Sequence, residues 1–371
     1  MRPCAPGLEG SEAVRARART LHPLGGMEAR QAWQAGTEVQ NRHHGEDIIV
    51  KVRMRVLAAL VLALLIALSA GVASAASDRV VIGFSSPGAD HGWLAAIQHY
   101  AREAAGRHAD VQLVLTDGLN SVQKQISDVE TLIARKVDVI VLLPMDGAAL
   151  TPVARKVRQA GIPLVNLDRK LSEPVYDVYI GGDNYGIGRA AGEYIAQRLN
   201  GKGTVVEIQG LPGISVTEDR SRGFYDVIKQ YPGIKVVASQ NADFLPDRGL
   251  RVMENILQAQ PKIDAVYTHD DDMAMGVVQA IRNAGRQDEM FLTGVGPLKR
   301  AMEMVKNGVA PYAATFNYSP VMAASGVELA YRIAKGRGLE ELWEPTMPKE
   351  IILDATLVGP ENVDQWMNLG F

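Results

Sequence analysis

Asp168 and Arg169 stand side by side at the end of the apolar run 162–167. A carboxylate that accepts and a guanidinium fork that donates suit vicinal hydroxyls, which need both. The same pair would also serve as a surface ion pair or a helix cap. Similar groups follow other apolar runs: His91 and Trp93 after the first, Arg220 and Phe244 further on, Asp270 within His269-Asp270-Asp271-Asp272, and Asn317-Tyr318 later still. Together they offer hydrogen-bond donors, acceptors and flat apolar faces, which is the inventory for binding a small polar molecule.

Each of these residues also has a plainer reading. Trp93 falls on one helix stripe with Ile97, Tyr100 and Ala104, so it either packs the core or faces a cleft. Phe244 precedes Leu-Pro-Asp and serves equally well as a core cap. The acidic run 270–272 has a metal-site composition. Consecutive residues at a helix start point in different directions, however, and acids there complement the helix dipole, so no metal is expected. Gly186-Ile-Gly188 brushes a dinucleotide fingerprint but equally permits close helix packing, and no cofactor is expected.

The elements that must position these groups alternate regularly. Strand-like runs at 79–84, 111–115, 137–143, 162–167 and 178–180 are separated by helical patterns. The alternation restarts with helix 185–199, strand 204–208, helix 218–230, strand 234–238, helix 247–259, strand 265–268, helix 272–284, strand 290–293 and helix 297–307. Strands this apolar are buried on both faces, which predicts parallel sheets covered by helices. In such sheets ligands lie beyond the carboxyl ends of the strands, where the polar residues above collect. Strand 313–315, helix 320–335 and strand 349–353 are too short for a third domain. They should fold back, with interdomain crossings near 181–184, 315–319 and 345–350.

Several function classes are excluded. The sole cysteine is Cys4, and no G-x-S-x-G, H-E-x-x-H or P-loop follows residue 75, so the chain is not expected to be an enzyme. Thirteen unbroken apolar residues at 56–68 lie between Lys51, Arg53, Arg55 and the small-residue stretch 72–76. This reads as a signal peptide over 54–75, cleaved near Ala75, with a mis-assigned start or unstructured leader over 1–53. Cleavage removes nine basic and six acidic side chains and leaves 30 against 36, a net of −6 on 296 residues. That balance argues against nucleic acid and anionic membranes.

The chain resembles the periplasmic sugar-binding proteins of ABC transporters, in the ribose/galactose group that shares its fold with the ligand domains of lac-repressor-type regulators. The matching text is VIGFSS at 81–86, NLDR at 166–169, VVEIQGLPG at 205–213, DRSRGF at 219–224, SQNADF at 239–244 and YTHDDDMAMGVVQAI at 267–281. The tail LVGPENVDQWMNLGF and the segment GADHGW look more like the galactofuranose-type branch. A regulator would need a helix-turn-helix before residue 79, where the signal peptide stands.

The resemblance implies two doubly wound parallel-sheet α/β domains joined by a multi-crossover hinge, the type I periplasmic binding protein fold. The first lobe is expected over 79–181 plus 319–346 and the second over 183–315 plus 347–371. It also implies a monomer that captures a monosaccharide or polyol between the lobes and hands it to a membrane permease; the alternatives are a sugar-sensing chemoreceptor ligand-binding protein and, less favoured, an exported sugar-active enzyme. The ligand-binding residues it implies are His91, Trp93, Asp168, Arg169, Arg220, Phe244, Asp270, Asn317 and Tyr318. Where the family carries F-D-G, this chain has Val295-Gly296-Pro297. One acceptor is therefore lost, which favours a polyol or a differently oriented sugar over ribose.

Overall fold

Strands β3 (Val139–Leu142), β4 (Leu164–Leu167) and β8 (Ala265–Thr268) are buried at every residue, as central strands covered on both faces must be. They belong to two six-stranded sheets in a computed structural model that describes residues 53–61, 79–342 and 344–371. The expected leader and the cleavage site near Ala75 lie outside the described residues. Residues 53–61 form one exposed helical segment, and no helix among the described residues is long and apolar enough to cross a membrane.

The first sheet has the order β11-β5-β4-β3-β1-β2, all parallel, with β1 at Val80–Ser86, β2 at Val111–Asp117, β5 at Val178–Gly182 and β11 at Glu350–Leu353. Helices α1 (Gly92–Gly106), α2 (Val122–Ala134) and α3 (Gly147–Gln159) connect its strands. The second sheet has the order β12-β10-β9-β8-β6-β7. Its strands are β6 (Lys202–Gln209), β7 (Gly233–Asn241), β9 (Phe291–Val295), β10 (Tyr312–Phe316) and β12 (Leu357–Val358), of which only β12 runs antiparallel. Its helices are α4 (Asn184–Arg198), α5 (Ser215–Ile228), α6 (Pro246–Ala259), α7 (Asp271–Asn283) and α8 (Lys299–Lys306). Helix α9 (Met322–Ala334) returns to pack on α1, β3 and β4, and the short α10 (Val363–Trp366) lies against α8.

The expected boundary at 347 is corrected by β11, which pairs in parallel with β5 and so belongs to the first sheet. The third crossing between sheets accordingly falls between Leu353 and Leu357, not near 345–350. An edge strand with two exposed residues out of four carries little pattern to say which sheet it joins.

Helices start where short polar side chains can accept from the first free amides. Ser121, Asp146, Asp183 and Asp270 do so for α2, α3, α4 and α7. Gly188 of the weak dinucleotide pattern serves packing: a Cβ on it would strike the Arg220 carbonyl, and one on Gly223 of the facing helix would strike the Tyr185 carbonyl. Helices α4 and α5 thus meet backbone to backbone, which fixes the height of Arg220 above the sheet.

A second fixed point is Asp271, fully buried within the second lobe. It accepts from Tyr312 Oη at 2.5 Å, Thr315 Oγ1 at 2.8 Å and the Leu298 amide at 3.1 Å, tying α7 to β10 and to the start of α8. Burial raises its carboxyl from 3.8 to about 7, although the Tyr312 and Thr315 hydrogen bonds pull the other way.

Two outcomes are expected. Gly188→Val forces α4 off α5 and lowers the unfolding free energy by about 1–3 kcal/mol in urea titration; an unchanged midpoint would contradict the close approach. Between pH 3.8 and about 7 folded Asp271 keeps a proton that the unfolded chain has released, so its contribution makes stability fall as pH rises through that window. Asp271→Asn should flatten that fall in urea titrations from pH 4 to 7.5. Equal slopes in the two proteins would contradict it.

Candidate functional site

The carboxyl ends of the two sheets line one cavity, bounded by His91, Trp93, Asp168, Arg169, Val216, Arg220, Phe244, Asp270, Val295 and Tyr318. Eight of the nine residues singled out in the sequence are brought together there. Each arrives from the loop or helix that follows a strand, and His91, Trp93, Asp168 and Arg169 come from the first lobe.

Asp168 takes a left-handed conformation, φ 64°, immediately after β4. The strained turn is held at both ends: its amide donates to Ile180 O at 2.8 Å and its carbonyl accepts from Tyr179 Oη at 2.7 Å. The carboxylate, in a residue 2% exposed, accepts from the Tyr318 hydroxyl. Burial pushes its pKa up, opposed first by Arg169 and then by the Tyr318 hydrogen bond. Arg169 Nη1 donates to Met145 O at 3.0 Å, and Nε lies 3.9 Å from the Asp168 carboxylate. Asn166 secures this loop by donating to Arg169 O at 2.9 Å and accepting from the Leu171 amide at 3.0 Å.

Arg220 reaches across from α5 and is 2% exposed. Its Nε donates to Asn184 Oδ1 at 2.9 Å, Nη1 donates to the His269 carbonyl, and the guanidinium lies 4.4 Å from the centre of the Tyr318 ring. Nη2 is buried with no hydrogen-bond partner. Behind it His269, held below its ordinary pKa by burial, bonds Glu207 at 3.1 Å, and Glu207 also accepts from Ser221 and Ser239. This buried cluster fixes the carbonyl that holds Arg220.

Tyr318 is the hub. Besides Asp168 and Arg220 it stacks on Trp93 at 5.5 Å, accepts the indole N–H on its carbonyl at 2.8 Å, and bonds Asn184 at 3.2 Å. Trp93 therefore faces the cleft and is buried as well. Phe244, φ 65°, stacks with His91 at 6.2 Å and occupies space left by Gly210. His91 bonds Asp90 at 2.6 Å.

The run 269–272 diverges as a helix start must. His269 meets Glu207, Asp271 meets Tyr312, Asp272 meets the Trp93 amide, and Asp270 lines the cavity while capping α7 through the Met273 amide at 2.8 Å. Burial and the neighbouring Asp272 raise Asp270 from 3.8 to about 8. Among the described residues no group of His, Cys, Asp and Glu could hold a metal.

Asn317 is the residue not brought in. Its amide donates to Thr356 O at 2.8 Å, and its side chain lines a separate cavity behind the cleft with Gly182, Leu353 and Trp366. Val216 and Val295 were missed. Val295 could have been found, since it ends β9 where the family's acidic motif is absent; Val216, in the first turn of α5, gave no polar signal.

The result is a set of buried acceptors, donors and aromatic faces converging on one small space, suited to hydroxyls around a compact carbon skeleton. Comparison with known proteins agrees with this geometry. The galactofuranose-binding protein YtfQ of Escherichia coli is 32% identical over 82% of this chain and 97% of its own. The ribose import binding protein RbsB of Salmonella typhimurium is 32% identical over 77% and 95%. A solved ABC transporter solute-binding protein from Bacillus halodurans with bound myo-inositol superposes with TM-score 0.73 at 28% identity, covering 79% of this chain and 98% of that one. Residues 82–338 match the model of the periplasmic binding protein domain, and the chain belongs to that family.

Proposed function

We propose that this chain is an exported solute-binding protein that captures one monosaccharide or polyol between its lobes and delivers it to the permease of an ABC transporter. The observation that carries this reading is the buried Nη2 of Arg220, a charged donor without a protein partner inside a cavity that already holds Asp168, Arg169 and Asp270. A buried charged donor is costly to leave unpaired, and a ligand hydroxyl supplies its partner. The sugars and polyol named for the related proteins support the same chemical class, and the apolar run 56–68 supports export.

In this reading Asp168 and Asp270 accept from hydroxyls, while Arg169 and Arg220 donate. Trp93, Phe244 and Tyr318 cover C–H faces, and His91 closes the outer side against Phe244. Both walls touch the ligand only when the lobes close, so binding shifts the protein to its closed form by bending the three crossings between the sheets. A wrong epimer leaves buried groups unpaired, which makes the site stereoselective. The aliphatic Val295 in place of a carboxylate favours ligands that need no acceptor at the end of β9. The protein acts as a monomer and uses no cofactor.

The test is a thermal-shift panel of pentoses, hexoses, furanoses and alditols, followed by calorimetric titration of the stabilising compounds. At least one compound should raise the unfolding midpoint, with a stabilisation that grows as the logarithm of its excess over the dissociation constant. Arg169→Ala should weaken binding of that compound at least tenfold while the ligand-free midpoint stays near wild type. No shift with any compound, or unchanged affinity in the variant, would overturn the reading.

A further inference from the structure

Helix α1 begins without a cap of its own. His91 at its N-cap position makes no side-chain cap bond, and its first turn holds no acidic residue. Helices α2, α3, α4 and α7 are each capped by their own Ser or Asp. The missing acceptor for α1 comes from the other lobe. Asp272, in the first turn of α7, accepts from the Trp93 amide at 3.0 Å through Oδ2, and the Gly92 amide also donates to this carboxylate. Among the described residues no Lys or Arg forms an ion pair with Asp272.

Gly92 is what lets the carboxylate approach. A Cβ there would stand 2.8 Å from Asp272 Oδ1 and 2.9 Å from Oδ2, closer than real Cβ atoms come. The Trp93 ring is then tethered at both ends: its amide to Asp272 and its indole N–H to the Tyr318 carbonyl at 2.8 Å.

We infer that Asp272 is a positioning residue for ligand capture, capping α1 across the cleft so that closure is latched and Trp93 is set against the ligand. This rests on the reading of the chain as a cleft-closing binder. In an open cleft water satisfies both the carboxylate and the α1 amides, so the bond exists only between closed lobes. An interaction present in one state alone shifts the equilibrium toward that state and raises the observed affinity by the same factor. Asp272 does not touch the ligand cavity itself.

The test uses the full-length exported protein and its Gly92→Ala, Asp272→Ala and Asp272→Asn variants, titrated calorimetrically with myo-inositol, D-ribose and D-galactose and melted without ligand. Asp272→Ala should lose about fivefold to thirtyfold in affinity, the size of a lost N-cap. Asp272→Asn should restore binding to within about threefold of wild type, because its amide oxygen still accepts from both N–H groups. Gly92→Ala should lose about tenfold or more through the clash across the cleft, with a ligand-free midpoint no lower than wild type, since Ala favours helix over Gly. Unchanged affinity in Asp272→Ala and Gly92→Ala would overturn the latch and leave the binder intact. A lowered ligand-free midpoint with unchanged affinity would overturn it too, assigning Asp272 to its own helix. Wild type binding neither these three compounds nor any other pentose, hexose, furanose or alditol of the panel would overturn the underlying reading, and the latch with it.

Discussion

Ionisable groups taken out of water must find partners, and this molecule places four ionisable side chains at the seam between two sheets. Asp168, Arg169, Arg220 and Asp270 are each 6% exposed or less. Their mutual ion pairing is slight, the nearest approach being 3.9 Å between Arg169 and Asp168. Neutral groups carry most of the compensation instead: the Tyr318 hydroxyl, the carbonyls of Met145 and His269, the amide of Asn184 and the Met273 N–H. Burying such groups costs several kcal/mol per ion unless hydrogen bonds replace water. Dipoles satisfy only part of each side chain, so the side chains keep hydrogen-bonding capacity for a guest.

The rest of the fold arranges those dipoles. Parallel strands end together, so the turns after β1, β4, β8 and β10 reach the same seam. The left-handed turn at Asp168 is held by Ile180 and Tyr179 of the next strand, which joins the ligand wall to the sheet just before the chain crosses into the second lobe. Tyr318 stands just after the chain leaves β10 for the return crossing and touches Asp168, Trp93, Asn184 and Arg220. A residue at a crossing that contacts both walls is well placed to couple ligand contact to hinge angle. The solute-binding proteins of this family meet their solutes before a permease does, and a cleft that closes on contact serves that order of events.

Much of this was legible in the sequence because two simple signals coincide. Strands buried on both faces read as unbroken β-branched runs, and the polar residues that interrupt them fall at the carboxyl ends, where open parallel sheets bind ligands. Asp168, Arg169 and Asp270 carry both signals, whereas Arg220 lies in the second turn of α5 and is marked by the resemblance of DRSRGF to the family. What stayed hidden depends on which way a side chain turns or which partner a segment chooses. Asn317 and Tyr318 are one residue apart, and only Tyr318 lines the cleft. Val216 and Val295 are ordinary core residues by type, both on the second lobe, and become cavity walls only through the approach of the first lobe. Strand β11 is short and half exposed, and its choice of β5 over the nearer β12 is set by tertiary packing. Asp272 reads as a dipole-compensating acid of α7, and its contact with Gly92 and Trp93, about 180 residues away, leaves no local pattern.

The most direct measurement is mass spectrometry of whatever small molecule is released on denaturing freshly purified protein. A single polyhydroxylated compound of monosaccharide or alditol size, approaching one per chain, is the expected result. Recovery of an amino acid, a nucleotide or an apolar compound in that amount would contradict the assignment of the cleft to hydroxyl recognition.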